Sequence, residues 1–377
     1  MKKSKAIVSL VALVLLVGLV VWASYHVHFS FASFRSQLEL ADWRKIGAAL
    51  GCIYLGYVFR SVRWALLLRH NKKVGLLSLL GTQVIGFTAV ALIGRVADLV
   101  RPYLVSKKTG LPLSSQIAVY IVERLFDAGS MALIFSVAML WVPQADIVKA
   151  TSHSKMIGVL SMHSPLLAAF ISRYGGLVLT LLGAGFLVAV RIGGRLMAAF
   201  CERAFGLVSK KLGLAIGDKI RTFRAGLDTM RSFADFAATA SLSIGMWLLI
   251  AVAYFEGCQA FTASHELASI TPSKCVLLMI ASGGASIIQL PVLGWFSQIT
   301  IVAAALSVIL GASVEAATAC AAVLLIVTFL GIIPVGLIWA QFTHVSLRKV
   351  AAESEQAGEV AEEAAAGEAP LEEPSGA

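Results

Sequence analysis

The sequence predicts an all-α, polytopic membrane protein with about six transmembrane helices and two re-entrant hairpins. Hydrophobic residues occupy 58% of the 377 positions and charged residues only 14%, against about 45–50% and 25% in soluble domains. Mean hydropathy is +0.85. The apolar residues fall into runs at 6–23, 46–67, 75–94, 115–142, 174–192, 237–262, 275–290, 296–312 and 316–340, and about 20 residues suffice to cross the hydrocarbon core.

Each run takes its place from the charges beside it. MKKSK precedes 6–23, and WASYHVHFS offers no small-residue cleavage site, so this is an uncleaved first helix with its amino terminus in the cytoplasm. Residues 60–73 carry five positive charges and no acid, and 191–235 carry nine against four. Both belong on the cytoplasmic side. The weakly charged stretch 143–173 belongs outside. If 75–94 were a full crossing, Arg95, Arg101, Lys107 and Lys108 would lie outside and every later loop would be inverted. A re-entrant hairpin over 75–112 removes the conflict, because irregular backbone and charge are tolerated at depth where protein or an aqueous cavity surrounds them.

The same argument applies to 275–312, which is interrupted at QLPVLGW. Two hairpins and six spans then leave both termini in the cytoplasm. The order span, hairpin, span over 46–142 recurs over 237–340 with opposite orientation. Such inverted repeats with paired broken segments mark alternating-access transporters. Residues 1–345 form the membrane domain, 195–235 an interfacial helix with apolar and basic faces, and 351–377 a disordered acidic tail.

The net charge is +10, yet the last 27 residues hold eight Glu and no Lys or Arg, so the remainder carries +18. The basic residues lie between apolar segments, which excludes a nucleic-acid partner and fits orientation charges or anionic lipid. Five scattered cysteines and isolated histidines show no metal-ligand spacing, and no metal or cofactor is expected. No phosphate-binding glycine loop, HExxH or GxSxG pattern occurs, so no catalytic set is assigned.

The charges that remain lie in GRVADLVRPYLVSKKTGLPLSSQIAVYIVERLFD, from Gly94 to Asp127, which carries five Lys/Arg and three Asp/Glu between apolar runs. A charge at membrane depth costs about 2.5–3.5 kcal/mol or more and is usually functional. Arg95, Asp98 and Arg101 follow at intervals of three, a ladder of alternating sign on a helix, and Pro102 is expected to break that helix. Glu123, Arg124 and Asp127 share a face of the next span. One reading is a cavity where Arg95 or Arg101 meets a lipid phosphate while Glu123 and Asp127 hold the arginines. The other makes Arg95–Asp98 and Arg124–Asp127 structural ties between hairpin and span. Lys107 and Lys108 read as a solvated turn, and Arg60, Arg63 and Trp64 as a snorkelling, interfacial helix end able to guide a headgroup. In the second hairpin, Pro291 and Gly294 free backbone groups that Gln289 and Gln298 can satisfy.

This motif resembles the lysylphosphatidylglycerol synthase transmembrane-region family, which typically reads G-R-x-G-E, a hydrophobic residue, x-R-P-Y, a basic turn, and then V-E-R, a hydrophobic residue and x-D. Gly94, Arg95, Leu99, Arg101, Pro102, Tyr103, Gly110, Glu123, Arg124 and Asp127 match, and Asp98 stands for the usual acid. FRSVRWALLL is similar to the family's early arginine-tryptophan segment. The resemblance covers about 40–345. One departure is PVLGWFSQ, which puts Gln298 where the family commonly ends a glycine turn in Glu.

The resemblance implies lipid handling. In two-domain aminoacyl-lipid synthases the similar region moves the modified lipid between leaflets, and stand-alone members are associated with hopanoid, glycolipid or polyprenyl-linked pathways. Beyond Lys349 only 28 residues remain, so no aminoacyl-transferase domain is expected here. The headgroup-binding residues selected are Arg95, Asp98, Arg101, Tyr103, Glu123, Arg124, Asp127 and Gln298, with Pro102, Pro291 and Gly294 as breaks. The function expected is a flippase of an inner membrane, acting on a phosphate-bearing or anionic lipid. Two alternatives stand beside it: a membrane enzyme that transfers a group onto a lipid or polyprenyl carrier, with Glu123 or Asp127 acidic in the site, and a partner subunit of a lipid-synthesis enzyme.

Overall fold

The computed structural model describes residues 29–142, 173–183, 232–285 and 293–354 except 348, with single positions at 185, 199, 202, 203, 209 and 356. The first apolar run, most of the helix expected over 195–235, Pro291 and the tail from 357 onward lie outside the described residues. Every described element is helical. In chain order they are α1 (Phe31–Glu39), α2 (Trp43–Leu68), α3 (Leu76–Ile93), a 3-10 turn (Arg95–Leu99), α4 (Val100–Thr109), α5 (Leu113–Met139), α6 (Phe233–Gln259), α7 (His265–Ala268), α8 (Pro272–Ala285), α9 (Leu293–Leu310), α10 (Val314–Leu325), a π turn (Ile326–Leu330) and α11 (Ile332–Phe342). Residues 173–183 are also helical. The protein is an all-α, multi-pass membrane protein.

Among the described residues three stretches are long and apolar enough to cross a membrane: α3, α6, and α10 with α11. Helices α2 and α5, with 26 and 27 residues, have the length at about 1.5 Å per residue but carry the charges described below. The described residues divide into two compact units. The first takes residues through Gly56, from Ser130 to Leu181 and from Ile244 to Gly331, and the second takes Tyr57–Gly129, Leu182–Ser243 and Ile332 onward. Helices α2, α5 and α6 and the α10–α11 pair therefore each contribute to both.

In the second unit, α3, the 3-10 turn and α4 form the first hairpin. Gly94 turns the chain with φ 93°, a backbone that a Cβ disfavours. The break is at this glycine and not at Pro102. Proline occupies the third position of α4, where its missing N–H would have had no helical partner in any case, so it opens the return helix instead of ending one. Gly110, at φ 71°, closes α4 with a left-handed cap. The hairpin's two ends meet. Lys108 donates to the Ser78 carbonyl at 3.3 Å, and Lys72 donates to the Thr109 carbonyl. The two ends of this helical pair therefore lie side by side.

Close backbone packing holds α3 against α11. A Cβ at Gly81 would overlap Trp339, and one at Gly336 would overlap Thr88, whose hydroxyl donates to the Ile332 carbonyl at 3.3 Å. Such small-residue contacts are how helices approach in lipid, where apolar burial alone gives little preference for helix over lipid. Around them Trp64, Leu67, Leu68, Leu79, Val105, Val119 and Val122 form a buried cluster.

Residues 351–354, expected to belong to the disordered tail, are helical. Helix continues to Ser354, with Ala351 and Ser354 buried. Tyr103 donates to the Glu353 carboxylate at 2.9 Å, and Lys107 and Lys349 lie 3.5 and 3.8 Å from it. The glutamates that look featureless in sequence are at this point partners for the hairpin's basic end.

In the first unit α8 and α9 form the second hairpin, and α9 packs on α10. Gly294 is buried in the first turn of α9, and the break before it lies outside the described residues. Asp42 N–H donates to the Ala260 carbonyl at 2.8 Å and Ser30 N–H to Glu315 at 3.0 Å, which ties α1 and α2 to the ends of α6 and α10. The π turn carries Tyr54's contact: its hydroxyl donates to the Gly331 carbonyl at 2.7 Å.

Two tests address these contacts. Gly336→Val should overpack the α3–α11 seam and destabilise the protein by about 1–3 kcal/mol, read by thermal unfolding in detergent. The Tyr103 hydroxyl, and behind it Lys107 and Lys349, holds the Glu353 carboxyl below the usual carboxylate range. A depressed pKa means that this contact is complete at neutral pH and is lost as pH falls through the folded value, below about pH 4. Hydrogen exchange of 347–354, corrected for its intrinsic rate, should rise below that pH, and Glu353→Gln should exchange fast at both.

Candidate functional site

The buried charges of the second unit meet on one level of its helices. Arg60 and Arg63 project from α2 three residues apart, and Glu123 and Asp127 from α5 four apart, so each pair lies on one helix face. Arg63 is 1% exposed and Glu123 1%. Arg63 donates through Nη2 to Glu123 Oε1 at 2.7 Å, and through Nη1 to Asp127 Oδ1 and Ser243 Oγ, both at 2.6 Å. Ser243 passes its own proton to the Thr239 carbonyl one turn earlier on α6. Arg60 lies 3.4 Å from Glu123 and 3.5 Å from Asp127. Arg124, with 41% of its side chain exposed, flanks Asp127 at 3.6 Å.

Arg101 reaches this cluster from the hairpin. It is 0% exposed, and its Nη1 lies 3.3 Å from both Glu123 oxygens and 3.0 Å from Gln83 Oε1. Gly86 leaves room for its aliphatic stem, which a Cβ there would overlap. Its guanidinium is 4.5 Å from the Phe87 ring centre, 5.0 Å from Tyr120 and 5.7 Å from Trp64. Aromatic faces attract a cation by their quadrupole, more strongly where water is excluded. Trp64 in turn donates to Gln116 Oε1 at 3.4 Å.

Four guanidiniums thus stand around two carboxylates: Arg63 and Arg101 are buried with Glu123 and Asp127, and the two positive charges in excess belong to the partly exposed Arg60 and Arg124. Such an arrangement is suited to an anion whose charge completes the balance. Arginine serves well because it stays charged when desolvated and presents planar pairs of donors.

Of the residues selected from sequence, Arg101, Glu123, Arg124 and Asp127 come together here. Tyr103 does not: it faces Glu353 at the hairpin's return end. Asp98 is half-buried in the 3-10 turn and is in none of the described ion pairs. The side chain of Arg95 lies outside the described residues; of the ladder's other two members, Arg101 joins the cluster and Asp98 does not. Gln298 belongs to the first unit, where it donates to Ser282 Oγ at 3.2 Å beside the Tyr254 hydroxyl.

Sequence reasoning placed Arg60 and Arg63 at a snorkelling helix end, and the structure buries them at the centre. Gln83, Gln116 and Ser243 were not singled out at all. Gln83 left a signal, as the one amide in the otherwise apolar or small-residue helix LLSLLGTQVIGFTAVALI. The RSVRW spacing left another, two arginines on one face of an apolar helix.

The model of the family described as the lysylphosphatidylglycerol synthase TM region matches residues 9–350, and the chain belongs to that family. No curated protein and no solved structure matches significantly.

The pairing predicts unequal sensitivity to loss of charge. Arg63→Met leaves two buried carboxylates short of their main partner and should cost about 3–5 kcal/mol. Arg124→Met removes a partly exposed pair and should cost under about 1 kcal/mol. Thermal unfolding of both variants in detergent compares them directly.

Proposed function

We propose that this member of the lysylphosphatidylglycerol synthase transmembrane-region family moves an anionic or phosphate-bearing lipid between the leaflets of a bacterial-type inner membrane, with both termini in the cytoplasm. Lipid handling follows from the family, and movement between leaflets is the step beyond it. The observation that supports it most is the cluster of Arg63, Arg101, Glu123 and Asp127 buried among otherwise apolar helices, with the partly exposed Arg60 and Arg124 beside it. The buried arginines balance the two carboxylates, and the two partly exposed ones carry the positive excess that an anionic headgroup would meet. Each unit also contains one helix hairpin, in keeping with the order span, hairpin, span read twice along the sequence.

The enzymatic alternative asks Glu123 or Asp127 to move a proton. Both are already acceptors from guanidiniums, an arrangement that favours a positioning role. A lipid-synthesis enzyme remains a proposed partner, as the supplier of the cargo.

Leaflet exchange of fluorescent lipids in proteoliposomes tests the proposal. Wild type should exchange lipids with phosphate-bearing headgroups, and Arg101→Ala should lower the rate at least tenfold while the protein stays folded. Equal rates in protein-free vesicles and wild type would overturn it.

A further inference from the structure

Arg101 is the cluster's least satisfied member, and its open groups follow a pattern. Its Nε and Nη2 are buried and have no hydrogen-bond partner among the described residues. These two nitrogens lie on the same edge of the guanidinium plane, the side-on fork that binds an oxyanion through two parallel hydrogen bonds. The remaining nitrogen, Nη1, is the one committed to Glu123 and Gln83. The arginine is therefore held by one corner and open along one edge.

Two buried amides repeat the pattern. Gln83 and Gln116 are both 0% exposed. The oxygen of each is fixed as an acceptor, by Arg101 Nη1 for Gln83 and by the indole N–H of Trp64 for Gln116. Indole and guanidinium can only donate, so the amide orientation is determined by chemistry and Nε2 must point the other way. Both Nε2 atoms are buried and without a partner among the described residues. Every open valence in this group is thus a donor, and a buried donor left unpaired costs about 1–3 kcal/mol.

We infer that Arg101, Gln83 and Gln116 form a donor-only subsite for the phosphate oxygens of a lipid headgroup. Arg63, whose partners are all internal, acts as a positioning residue for Glu123 and Asp127. The donors come from three helices, α3, α4 and α5, which suits the tetrahedral oxygens of phosphate better than a planar carboxylate. The excess of positive charge around Glu123 fits the same ligand. The inference deepens the transport reading by naming the chemistry of its cargo, and it rests on that reading for the lipid as source.

The test is binding to the full chain in detergent, followed by native mass spectrometry and thermal shift. The probes are short-chain phosphatidate, inorganic phosphate, octanoate and short-chain diacylglycerol. The informative variant is Gln116→Glu, which keeps an oxygen for the Trp64 indole but replaces the open donor with an anion. Its fold is checked by thermal shift, and the folded variant should bind phosphatidate about tenfold or more weakly. Gln83→Glu should behave alike. Phosphatidate bound well above the other three probes, with that loss in both variants, is the expected result. Phosphate binding as tightly as phosphatidate would make the cargo a free anion and overturn the lipid source. Octanoate or diacylglycerol binding equally, or variants that bind like wild type, would overturn the subsite. Leaflet exchange reads the transport reading separately: exchange without phosphate preference removes the subsite alone, and phosphatidate binding without exchange removes transport alone.

Discussion

Arg63 is the fixed point of the second unit. Moving a guanidinium out of water costs several kcal/mol even after the surroundings relax, and the cost is met only where partners occupy its donors with good geometry. Arg63 finds those partners on two other helices, Glu123 and Asp127 on α5 and Ser243 on α6. One residue thereby sets the rotation and the axial register of three helices. A shift of α5 by a single position would turn Glu123 and Asp127 away by about 100° and leave both carboxylates and both α2 arginines unpaired. Apolar contacts cannot supply such specificity in lipid, where one greasy face packs much like another.

Arg101 depends on that arrangement without contributing much to it. It arrives on a hairpin that exists because Gly94 can turn, because Gly86 leaves space for the arginine stem, and because Lys108 and Lys72 tie the two ends together. The aromatic rings of Phe87, Tyr120 and Trp64 hold its charge without using its N–H groups. That separates two jobs that arginine often combines. Arg63 spends its donors on structure, and Arg101 gives one nitrogen to Glu123 and Gln83 while ring faces surround the rest.

What the sequence made legible was set by length and sign. Apolar runs gave the helices, and loop charges gave a hairpin over 75–112 even though Leu76–Ile93 is long enough to cross. Acidic and basic residues at intervals of three and four identified Glu123 and Asp127. Depth was not legible. Arg63 stands near the end of an apolar run and so resembles a residue able to reach water, and only the packing of α5 and α6 over it shows otherwise. Pro102 reads as a breaker by propensity, yet a proline in the first turn of a helix begins it, and which turn it occupies depends on Gly94. Tyr103 belongs to the same motif as Arg101 but faces Glu353, because two residues along a helix are about 200° apart. That acid lies in a stretch whose composition gives no sign of a partner.

Gln298 gives the division between the units a chemical basis. Tyr254 and Gln298 both direct hydrogen-bond donors at Ser282 Oγ, at 2.6 and 3.2 Å. An amide satisfies that oxygen without bringing a charge, whereas a glutamate at the same position could only accept and would put a carboxylate into an otherwise apolar helix pair. Among the described residues, every buried aspartate, glutamate and arginine belongs to the second unit: Arg63, Arg101, Glu123, Asp127 and Asp235. The buried polar groups of the first unit are neutral hydroxyls and one amide. In the proposed transport, recognition of charge by the described buried groups would therefore fall to the second unit. A cargo met in the first unit would be met by hydroxyls and an amide, groups that can hydrogen-bond a neutral or a charged headgroup but add no Coulombic preference for either.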